Sequence, residues 1–325
     1  MKINSSTLKM WSRIGSRAAY GMAALELGKE YDDLIVISGD TSTSAGLDRF
    51  KKTYPEKYLD VGIAEQNMIG IAAGLASEGQ QVFTSTFSPF QTMRCCEQIK
   101  VNLGYMNHKV NMVGLASGLV LGLLGYTHCC IEDISIMRSI PGITVVSPAD
   151  CGATVKAVLA AIENEQSVYL RLTGGSPNPS VYLDDFDFTF GKANILREGS
   201  DLAIIACGAM VNNALKSAEL LKERKLKATV IDMHTIKPID TNIIEEVSKS
   251  HDLIVTVEEH SIIGGLGSAV SEYLSTMNQK PPLLLIGIPD EYGPGGSYES
   301  LLQKRLLLPD QIADNIQNRY YSLSR

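Results

Sequence analysis

A single carboxylate stands at the start of an uncharged helical stretch, DVGIAEQNMIGIAAGLASEG (60–79). After Glu65 the chain carries no charge from Met68 to Leu75, where Gly, Ala, Ile and Leu dominate. The positive end of a helix favours an acid at this position. The small apolar neighbours favour its burial, and a buried carboxylate has to be paired, protonated or functional. Glu65 is therefore either a helix-start acid without a chemical role or a functional group.

An apolar run that ends in a histidine is the second such feature. The run GLVLGLLGYTHCC (118–130) reaches His128 through Leu, Val and Gly residues. Its residue types predict either a buried strand that ends at His128 or the lining of a site in which His128 acts. Residue types alone leave both alternatives open.

Short apolar runs alternate with helical patterns and would position these residues. Strands are predicted at 33–40, 109–115, 143–150, 167–173, 202–208, 228–234, 253–260 and 283–289, and one of the helices between them at 151–165. Continuous Val and Ile runs joined by helices indicate parallel sheets covered on both faces. Ligands of such sheets bind at the carboxyl ends of the strands, where SGD, STFSPF, SPAD and VEEH fall.

The organisation of the chain predicts an α/β protein of two successive domains. Residues 174–200 are rich in Gly, Pro, Ser and Asp and lack a helical period, which indicates a connection between domains. We therefore expect mainly parallel sheets flanked by helices in residues 1–175 and 195–325, joined by a linker at 176–194.

Composition excludes several classes of protein. The 325 residues carry a formal net charge of −7, which argues against a nucleic-acid partner because such proteins need a basic face. No apolar run is long enough to span a membrane. The six cysteines include two vicinal pairs, which suit neither a disulfide framework nor a CxxC metal site. Buried reduced thiols and a cytoplasmic location are expected.

Several segments, in order along the chain, resemble the transketolases and related thiamine diphosphate enzymes. DVGIAEQNMIGIAAGLA resembles their pyrimidine-binding motif, and SRAAYGMAALELGKEYDDLIVISGDTS resembles the start of the same domain. FTSTFSPFQTMRCCEQI resembles their aromatic segment, and GYTHCCIEDISIMRSIPGITVVSPAD their histidine segment. TVEEHSIIGGLGSAVSEYL resembles their C-terminal domain. The resemblance implies a thiamine diphosphate-binding pyrimidine domain followed by a transketolase C-terminal domain.

The resemblance gives the first candidate residues a role towards thiamine diphosphate. Glu65 would hydrogen-bond the pyrimidine ring nitrogen and favour the imino form, whose nitrogen is the base that activates the cofactor. Phe87 and Phe90 would pack on the pyrimidine ring, as suits a flat heteroaromatic. Asp40 would face the part of the cofactor that a partner subunit holds.

The diphosphate-binding half of the family is absent from this sequence. Its G-D-G motif, followed at a distance by Asn, binds the diphosphate and Mg²⁺, and SGDTSTS is the only candidate, on the pyrimidine side. The chain therefore resembles the C-terminal subunit of a split transketolase. The resemblance implies a separate N-terminal subunit that supplies the diphosphate and Mg²⁺ ligands, and an assembly of two copies of each chain.

Matching by position also implies substrate contacts. Arg17 and Ser44 match residues that hold a sugar phosphate, and His128 matches a residue that hydrogen-bonds substrate oxygen and developing charge. The alternative for Arg17 is a solvated helix arginine, and for Ser44 a loop serine.

The departures from the family cluster in one stretch. Where members read H-x-G-x-x-x-G-E-D-G-x-T-H, this chain has Ala116 for the first His and Leu123 and Leu124 for the Glu–Asp pair. A further phosphate-binding Arg falls on Gly174 or Gly175. Loss of the acid that binds a sugar hydroxyl removes about 1.5–3 kcal/mol. We therefore expect ketol transfer with an atypical substrate that is less hydroxylated, unphosphorylated or apolar.

Two other functions stay open from the sequence. The chain could be the beta subunit of a 2-oxoacid dehydrogenase or of an acyloin-forming decarboxylase, although the G-x-T-H segment favours transketolase. It could also be a non-catalytic partner subunit. Structural roles are expected for the polar residues at strand ends of the C-terminal domain, which are His234, Glu258, Glu259 and His260.

Overall fold

The computed structural model describes residues 3–173 and 178–323, which form two sheets flanked by helices. The strands of the first half are β1 (Leu34–Ser38), β2 (Tyr58–Asp60), β3 (Gln81–Phe87), β4 (Val110–Leu115), β5 (Ile143–Val146) and β6 (Ser167–Arg171). Its helices are α1 (Ser5–Ile14), α2 (Ser16–Glu30), α3 (Asp48–Thr53), α4 (Glu65–Ser77), α5 (Ser88–Gln91), α6 (Cys96–Gln98), α7 (Asp133–Ser139) and α8 (Cys151–Glu163). Short 3₁₀ turns (Pro55–Lys57, Gly122–Thr127) and a π-helical segment (Ile99–Tyr105) complete it.

The second half repeats the alternation. Its strands are β7 (Asn194–Arg197), β8 (Leu202–Ala206), β9 (Ala228–Asp232), β10 (Thr235–Lys237), β11 (Leu253–Ser261) and β12 (Leu283–Ile288). Its helices are α9 (Met210–Glu223), α10 (Thr241–Ser250), α11 (Leu266–Leu274), α12 (Tyr298–Lys304) and α13 (Pro309–Ser322). In the described part of the chain, no helix is both long and apolar enough to cross a membrane.

Both sheets are mainly parallel, which confirms the α/β prediction. The first has the order β10-β5-β6-β4-β3-β1-β2 and the second the order β12-β11-β8-β9-β7. Among the described strands, only β10 and β7 pair antiparallel to their neighbours. Every residue of β4, β5 and β6 is buried, because helices cover both faces of the sheet. This is why these strands have apolar runs instead of alternating patterns.

The two halves share structure beyond the predicted linker. Strand β10 belongs to the second half of the chain, yet Thr235 pairs with Val146 at the edge of the first sheet. The predicted linker begins within residues 174–177, which lie outside the described residues. Its described part packs closely: the ring of Tyr182 stacks on Phe186 at 3.5 Å between centroids. The linker segment is thus part of the folded body.

A buried ion pair joins the first sheet to the second. Arg171 at the end of β6 donates from Nε to Oδ2 of Asp133 at 2.8 Å, and both side chains are almost fully buried. Tyr169 donates to the same oxygen at 2.7 Å. Arg171 Nη2 also reaches the carbonyl oxygen of Glu259 on β11, at 2.9 Å. Since both charges are paired and further hydrogen-bonded, their burial is tolerated.

Helix α2 and the loop after β1 approach each other backbone to backbone. A Cβ on Gly21 would overlap the carbonyl group of Gly46, and Gly46 itself has φ +73°. A Cβ on Gly46 would in turn lie 2.9 Å from the carbonyl oxygen of Arg17. Only glycine allows this contact, which fixes the loop that carries Ser44 against the helix that carries Arg17.

We predict that Gly21→Ala destabilises the protein by about 1–3 kcal/mol, because the new methyl group overlaps the Gly46 backbone. Gly70→Ala is the matched control, since Gly70 also lies inside a helix but a Cβ there meets nothing within 4 Å. This control should stabilise the isolated chain by about 0.5–1 kcal/mol through helix propensity. Urea unfolding of the two variants checks both signs. Equal midpoints would show that the close approach does not exist.

Candidate functional site

The candidate site lies where the carboxyl ends of β1 and β3 meet the start of α4. Gly62, with φ +70°, turns the chain after β2, and its backbone nitrogen donates to Oδ1 of Asp60 at 2.9 Å. Helix α4 then begins at Glu65, which is only 3% exposed. A Cβ on Gly39, just past β1, would touch Cγ of Glu65 at 3.4 Å. The Glu65 side chain therefore points back towards the edge of the sheet.

The buried carboxylate of Glu65 is paired with Arg94. Nη1 of Arg94 donates to Oε2 of Glu65 at 2.8 Å, and the Arg94 side chain is 41% exposed. The same guanidinium lies over the ring of Phe90, with Cζ 4.0 Å from the centroid. A charge-assisted bond of this kind stabilises a carboxylate that has lost its water. Arg94 was not predicted from the sequence. Its position four residues after Phe90, in the same segment, could have indicated a side chain close to the Phe90 ring.

Three predicted side chains form one aromatic cluster beside this ion pair. Phe87 ends β3 and Phe90 lies in α5, with centroids 6.3 Å apart and rings edge to face. The ring of His128 lies 5.3 Å from Phe90 and 6.2 Å from Phe87, again edge to face. The structure thus brings Phe87, Phe90 and His128 together and connects them to Glu65 through Arg94.

The segment 118–130 is not a buried strand, so that alternative for the apolar run is wrong. Residues Gly122–Thr127 form a 3₁₀ turn in which Leu123 is 84% exposed and Leu124 is 56% exposed. Gly118 and Gly125 have φ near +70°, a conformation that breaks an extended strand. Gly118 and Cys130 exchange backbone hydrogen bonds of 2.8 and 2.9 Å, which close the segment into a loop. We call residues 118–130 the histidine loop.

Thr127 fixes the ring of His128. Its hydroxyl lies 3.1 Å from the carbonyl oxygen of Leu124 and 3.0 Å from Nδ1 of His128. A hydroxyl has one proton to donate, so when it donates to the carbonyl it accepts from Nδ1. Neutral His128 then carries its proton on Nδ1, and Nε2 remains an acceptor for a ligand.

The other predicted contacts lie around the loop after β1. Asp40 has φ +59° and donates from its backbone nitrogen to Oδ1 of Asp60 at 3.1 Å, so it lies at the same sheet edge and is exposed. Arg17 is partly buried, and burial lowers the pKa of its guanidinium below its usual value. Among the described residues, no carboxylate lies within ion-pair distance of Arg17. Ser44 is partly buried in the loop that packs on the Arg17 turn.

The structure does not test the position of the missing phosphate-binding Arg or the prediction that a partner subunit supplies the Mg²⁺ ligands. Gly174 and Gly175, the positions of the missing phosphate-binding Arg, lie outside the described residues. Within residues 3–173 and 178–323, no group of three or more His, Cys, Asp or Glu side chains could hold a metal ion.

The polar strand end of β11 faces the first half of the chain. Glu258 accepts from the backbone nitrogens of Leu266 and Gly267 at 2.7 and 2.8 Å, which caps the start of α11. Burial raises the pKa of Glu258 to about 7 and lowers that of His260 to about 4. Glu258 and His260 are fully buried in this packing, which agrees with the structural roles expected of them.

Comparison with known proteins identifies the two halves. The family model "transketolase, pyrimidine binding domain" matches residues 12–177, and "transketolase, C-terminal domain" matches residues 191–312. Together the two models span both sheets of the structure.

Relatives of similar length carry both halves. One subunit of an apulose-4-phosphate transketolase from Phocaeicola vulgatus is 40% identical over 86% of this chain and 88% of its own. A subunit of a 6-deoxy-6-sulfo-D-fructose transketolase from a Clostridium species is 38% identical over 91% of each chain. A solved structure described as "split gene transketolase, inactive beta4 tetramer" is 37% identical over 93% of this chain and 97% of its own, with a TM-score of 0.84. These matches show that the chain belongs to the transketolase family, in which it carries the pyrimidine-binding and C-terminal domains.

Proposed function

We propose that this chain is the subunit of a split thiamine diphosphate-dependent transketolase that activates the cofactor and transfers a two-carbon ketol unit to an aldehyde acceptor. The observation that carries the proposal is the buried carboxylate of Glu65 at the start of α4, beside the rings of Phe90, Phe87 and His128. The relatives named as transketolase subunits support the same reaction class.

The residues present fit an aminopyrimidine ring. The buried carboxyl group of Glu65 can hydrogen-bond the ring nitrogen, and the rings of Phe87 and Phe90 can pack on the flat faces of the pyrimidine. Thiamine diphosphate, when bound, supplies the carbon nucleophile that carries the ketol unit. Glu65 would accept the hydrogen bond of the ring nitrogen and so keep the exocyclic nitrogen basic. Asp40, which is exposed at the same sheet edge, would face the part of the cofactor that a partner subunit holds.

His128 is the proposed group for substrate oxygen. Because Thr127 and Nδ1 are within hydrogen-bond distance, Nε2 is the nitrogen left for the substrate. In its charged form His128 donates from Nε2 to an oxygen on which negative charge develops. Arg17, which has no carboxylate partner among the described residues, and Ser44 nearby would bind an anionic group of the substrate.

The histidine loop is the proposed origin of substrate choice. Leu123 and Leu124 replace two acids and are exposed, so they offer apolar contacts where the family offers hydrogen bonds to hydroxyl groups. A substrate hydroxyl placed against Leu124 loses its partner, whereas a deoxygenated carbon does not. The names of the relatives, apulose 4-phosphate and 6-deoxy-6-sulfofructose transketolases, support variation of substrate among subunits of this kind.

A separate subunit with the diphosphate-binding domain is proposed to complete the site and to supply the Mg²⁺ ligands, in an assembly of two copies of each chain. The likeness to a split-gene enzyme whose beta subunits form an inactive tetramer supports this requirement. The 2-oxoacid alternative predicts carbon dioxide release from a supplied 2-oxoacid, and the reconstituted pair should show none.

We predict that Glu65→Gln lowers the turnover of the reconstituted pair by about 10²–10⁴-fold, because the amide cannot serve as the proton partner of the pyrimidine ring. Glu78→Gln, an exposed carboxylate at the other end of α4, is the matched control and should keep full turnover. Steady-state kinetics of ketol transfer measure both. Unchanged turnover in Glu65→Gln would favour a non-catalytic subunit and remove the proposed mechanism.

We predict that Leu124→Asp shifts acceptor preference towards the more hydroxylated sugar. The ratio of kcat/KM for ribose 5-phosphate over 2-deoxyribose 5-phosphate should rise about tenfold or more, as a regained charged hydrogen bond implies. Leu123→Asp adds the same charge one residue away and controls for the charge itself. If both variants or neither changed the ratio, Leu124 would not face the substrate.

We predict that Arg94→Leu tightens the binding of thiamine diphosphate to the reconstituted pair several-fold. The guanidinium bonds Glu65 and covers Phe90, which are the two contacts proposed for the aminopyrimidine, so it competes for the same place. Arg94→Lys keeps the charge but loses the planar group. The Kd of thiamine diphosphate for Arg94→Lys should therefore lie between the values for the wild type and for Arg94→Leu. Calorimetric titration gives the three Kd values. Weaker binding in Arg94→Leu would mean that Arg94 supports Glu65 and does not compete.

A further inference from the structure

The carboxylate of Glu259 on β11 bonds the histidine loop from the other half of the chain. Its Oε1 accepts from the backbone nitrogen of Leu119 at 2.6 Å, and its Oε2 accepts from the hydroxyl of Tyr298 in α12 at 2.6 Å. Glu259 is 1% exposed and Leu119 is fully buried. One carboxylate therefore joins the second sheet, a C-terminal helix and the first turn of the loop.

The loop is shaped to accept this carboxylate. Gly118 has φ +72°, and a Cβ there would overlap the carboxyl group of Glu259. The bridge between Gly118 and Cys130 lies at the same point, so Glu259 contacts the place where the loop closes. Arg171 donates to the carbonyl oxygen of Glu259 and so fixes its backbone as well.

A second set of contacts supports the far side of the loop. The backbone nitrogen of Gly296 donates to the carbonyl oxygen of Gly122 at 2.9 Å, and a Cβ on Gly122 would overlap Leu301 of α12. The ring of Tyr126 lies 5.0 Å from that of Tyr292. The turn that carries Leu123 and Leu124 thus rests on the C-terminal half.

We propose that Glu259 is a positioning residue, through which the C-terminal domain holds the histidine loop and with it His128 and Leu124. The inference rests on the proposed function, because it matters for catalysis only if the loop binds substrate. It gives the C-terminal domain a part in the reaction without any contact to the reacting atoms.

The charge of Glu259 is consistent with this role. Burial raises the pKa of Glu259 above its usual value, while the hydrogen bonds from Tyr298 and Leu119 favour the carboxylate. The positive charge of Arg171 favours the Glu259 carboxylate, and the negative charge of Asp133, which pairs with Arg171, opposes it. A buried carboxylate that accepts two hydrogen bonds holds the backbone of the loop in one position.

Tyr298→Phe tests the proposal with a minimal change, because it removes one hydrogen bond to Glu259 and keeps the ring. Tyr182→Phe is the matched control: Tyr182 donates to the fully buried Asp232 at 2.7 Å, and within the described residues it makes no hydrogen bond to the loop. Both variants lose one phenol–carboxylate bond, and Tyr182→Phe also loses the hydrogen bond that Asn194 donates to the phenol oxygen at 2.9 Å, so the control should lose at least as much stability as Tyr298→Phe.

Two readouts separate positioning from stability. Hydrogen exchange of the full chain, followed by mass spectrometry on peptides that span 118–130, should be faster in Tyr298→Phe and unchanged in Tyr182→Phe. In the reconstituted pair, Tyr298→Phe should raise the acceptor KM about fivefold, as loss of one such bond implies. The Kd of thiamine diphosphate should stay at the wild-type value.

Gly118→Ala perturbs the same contact from the loop side and should reproduce both effects. Glu259→Gln keeps an acceptor oxygen for the backbone nitrogen of Leu119. Its effects on hydrogen exchange and on the acceptor KM should therefore be smaller than those of Gly118→Ala. Equal exchange and equal KM in Tyr298→Phe and Tyr182→Phe would overturn the proposal. The exchange result does not depend on catalysis, so failure of the Glu65→Gln prediction would remove the proposed function and leave the loop contact intact.

Discussion

A carboxylate that is removed from water needs a partner, and this constraint organises the first half of the molecule. Glu65 is nearly fully buried at the start of α4 and is neutralised by a half-exposed arginine. The guanidinium of Arg94 lies flat on Phe90 while it donates to Glu65. A flat, hydrogen-bonding, cationic group is also what an aminopyrimidine becomes when a proton is on its ring. In the isolated chain, Arg94 therefore gives the carboxylate of Glu65 a partner that is similar in shape and charge to a protonated aminopyrimidine ring.

The second constraint acts on the loop that would meet the substrate. An apolar run cannot remain exposed and ordered by itself, and here glycines let the C-terminal half come close enough to hold it. Gly118 admits the carboxyl group of Glu259, and Gly122 admits Leu301. The result is a turn with Leu123 and Leu124 on its outer surface and a buried polar anchor at its base. The proposed substrate choice and the packing of the two halves would thereby be linked through the same thirteen residues, 118–130.

Most of the fold was predictable because parallel strands covered by helices need continuous apolar runs, and all eight predicted runs fall on observed strands. The joining of β10 to the first sheet was not, because a three-residue antiparallel pair has no sequence signature. The motif segments predicted that Phe87, Phe90 and His128 would matter, but not that an arginine would lie among them. Arg94 was missed because it reaches Glu65 across 29 residues of sequence, and its position four residues after Phe90 is a weak signal. The run 118–130 left two alternatives open for a physical reason: its leucine content indicates burial, whereas the φ angles of Gly118 and Gly125 decide the path of the chain.

In the proposed enzyme, Glu65 would serve a pyrimidine ring, and Arg94 would leave that place when the ring binds. A crystal structure of the chain with its partner subunit, Mg²⁺ and thiamine diphosphate tests it most directly. We expect a carboxyl oxygen of Glu65 at about 2.7–3.2 Å from the pyrimidine ring nitrogen, with the ring against Phe90 and the guanidinium of Arg94 displaced from Phe90. A bound cofactor whose pyrimidine ring lies away from Glu65, with the Arg94–Glu65 pair and the Phe90 contact unchanged, would contradict it.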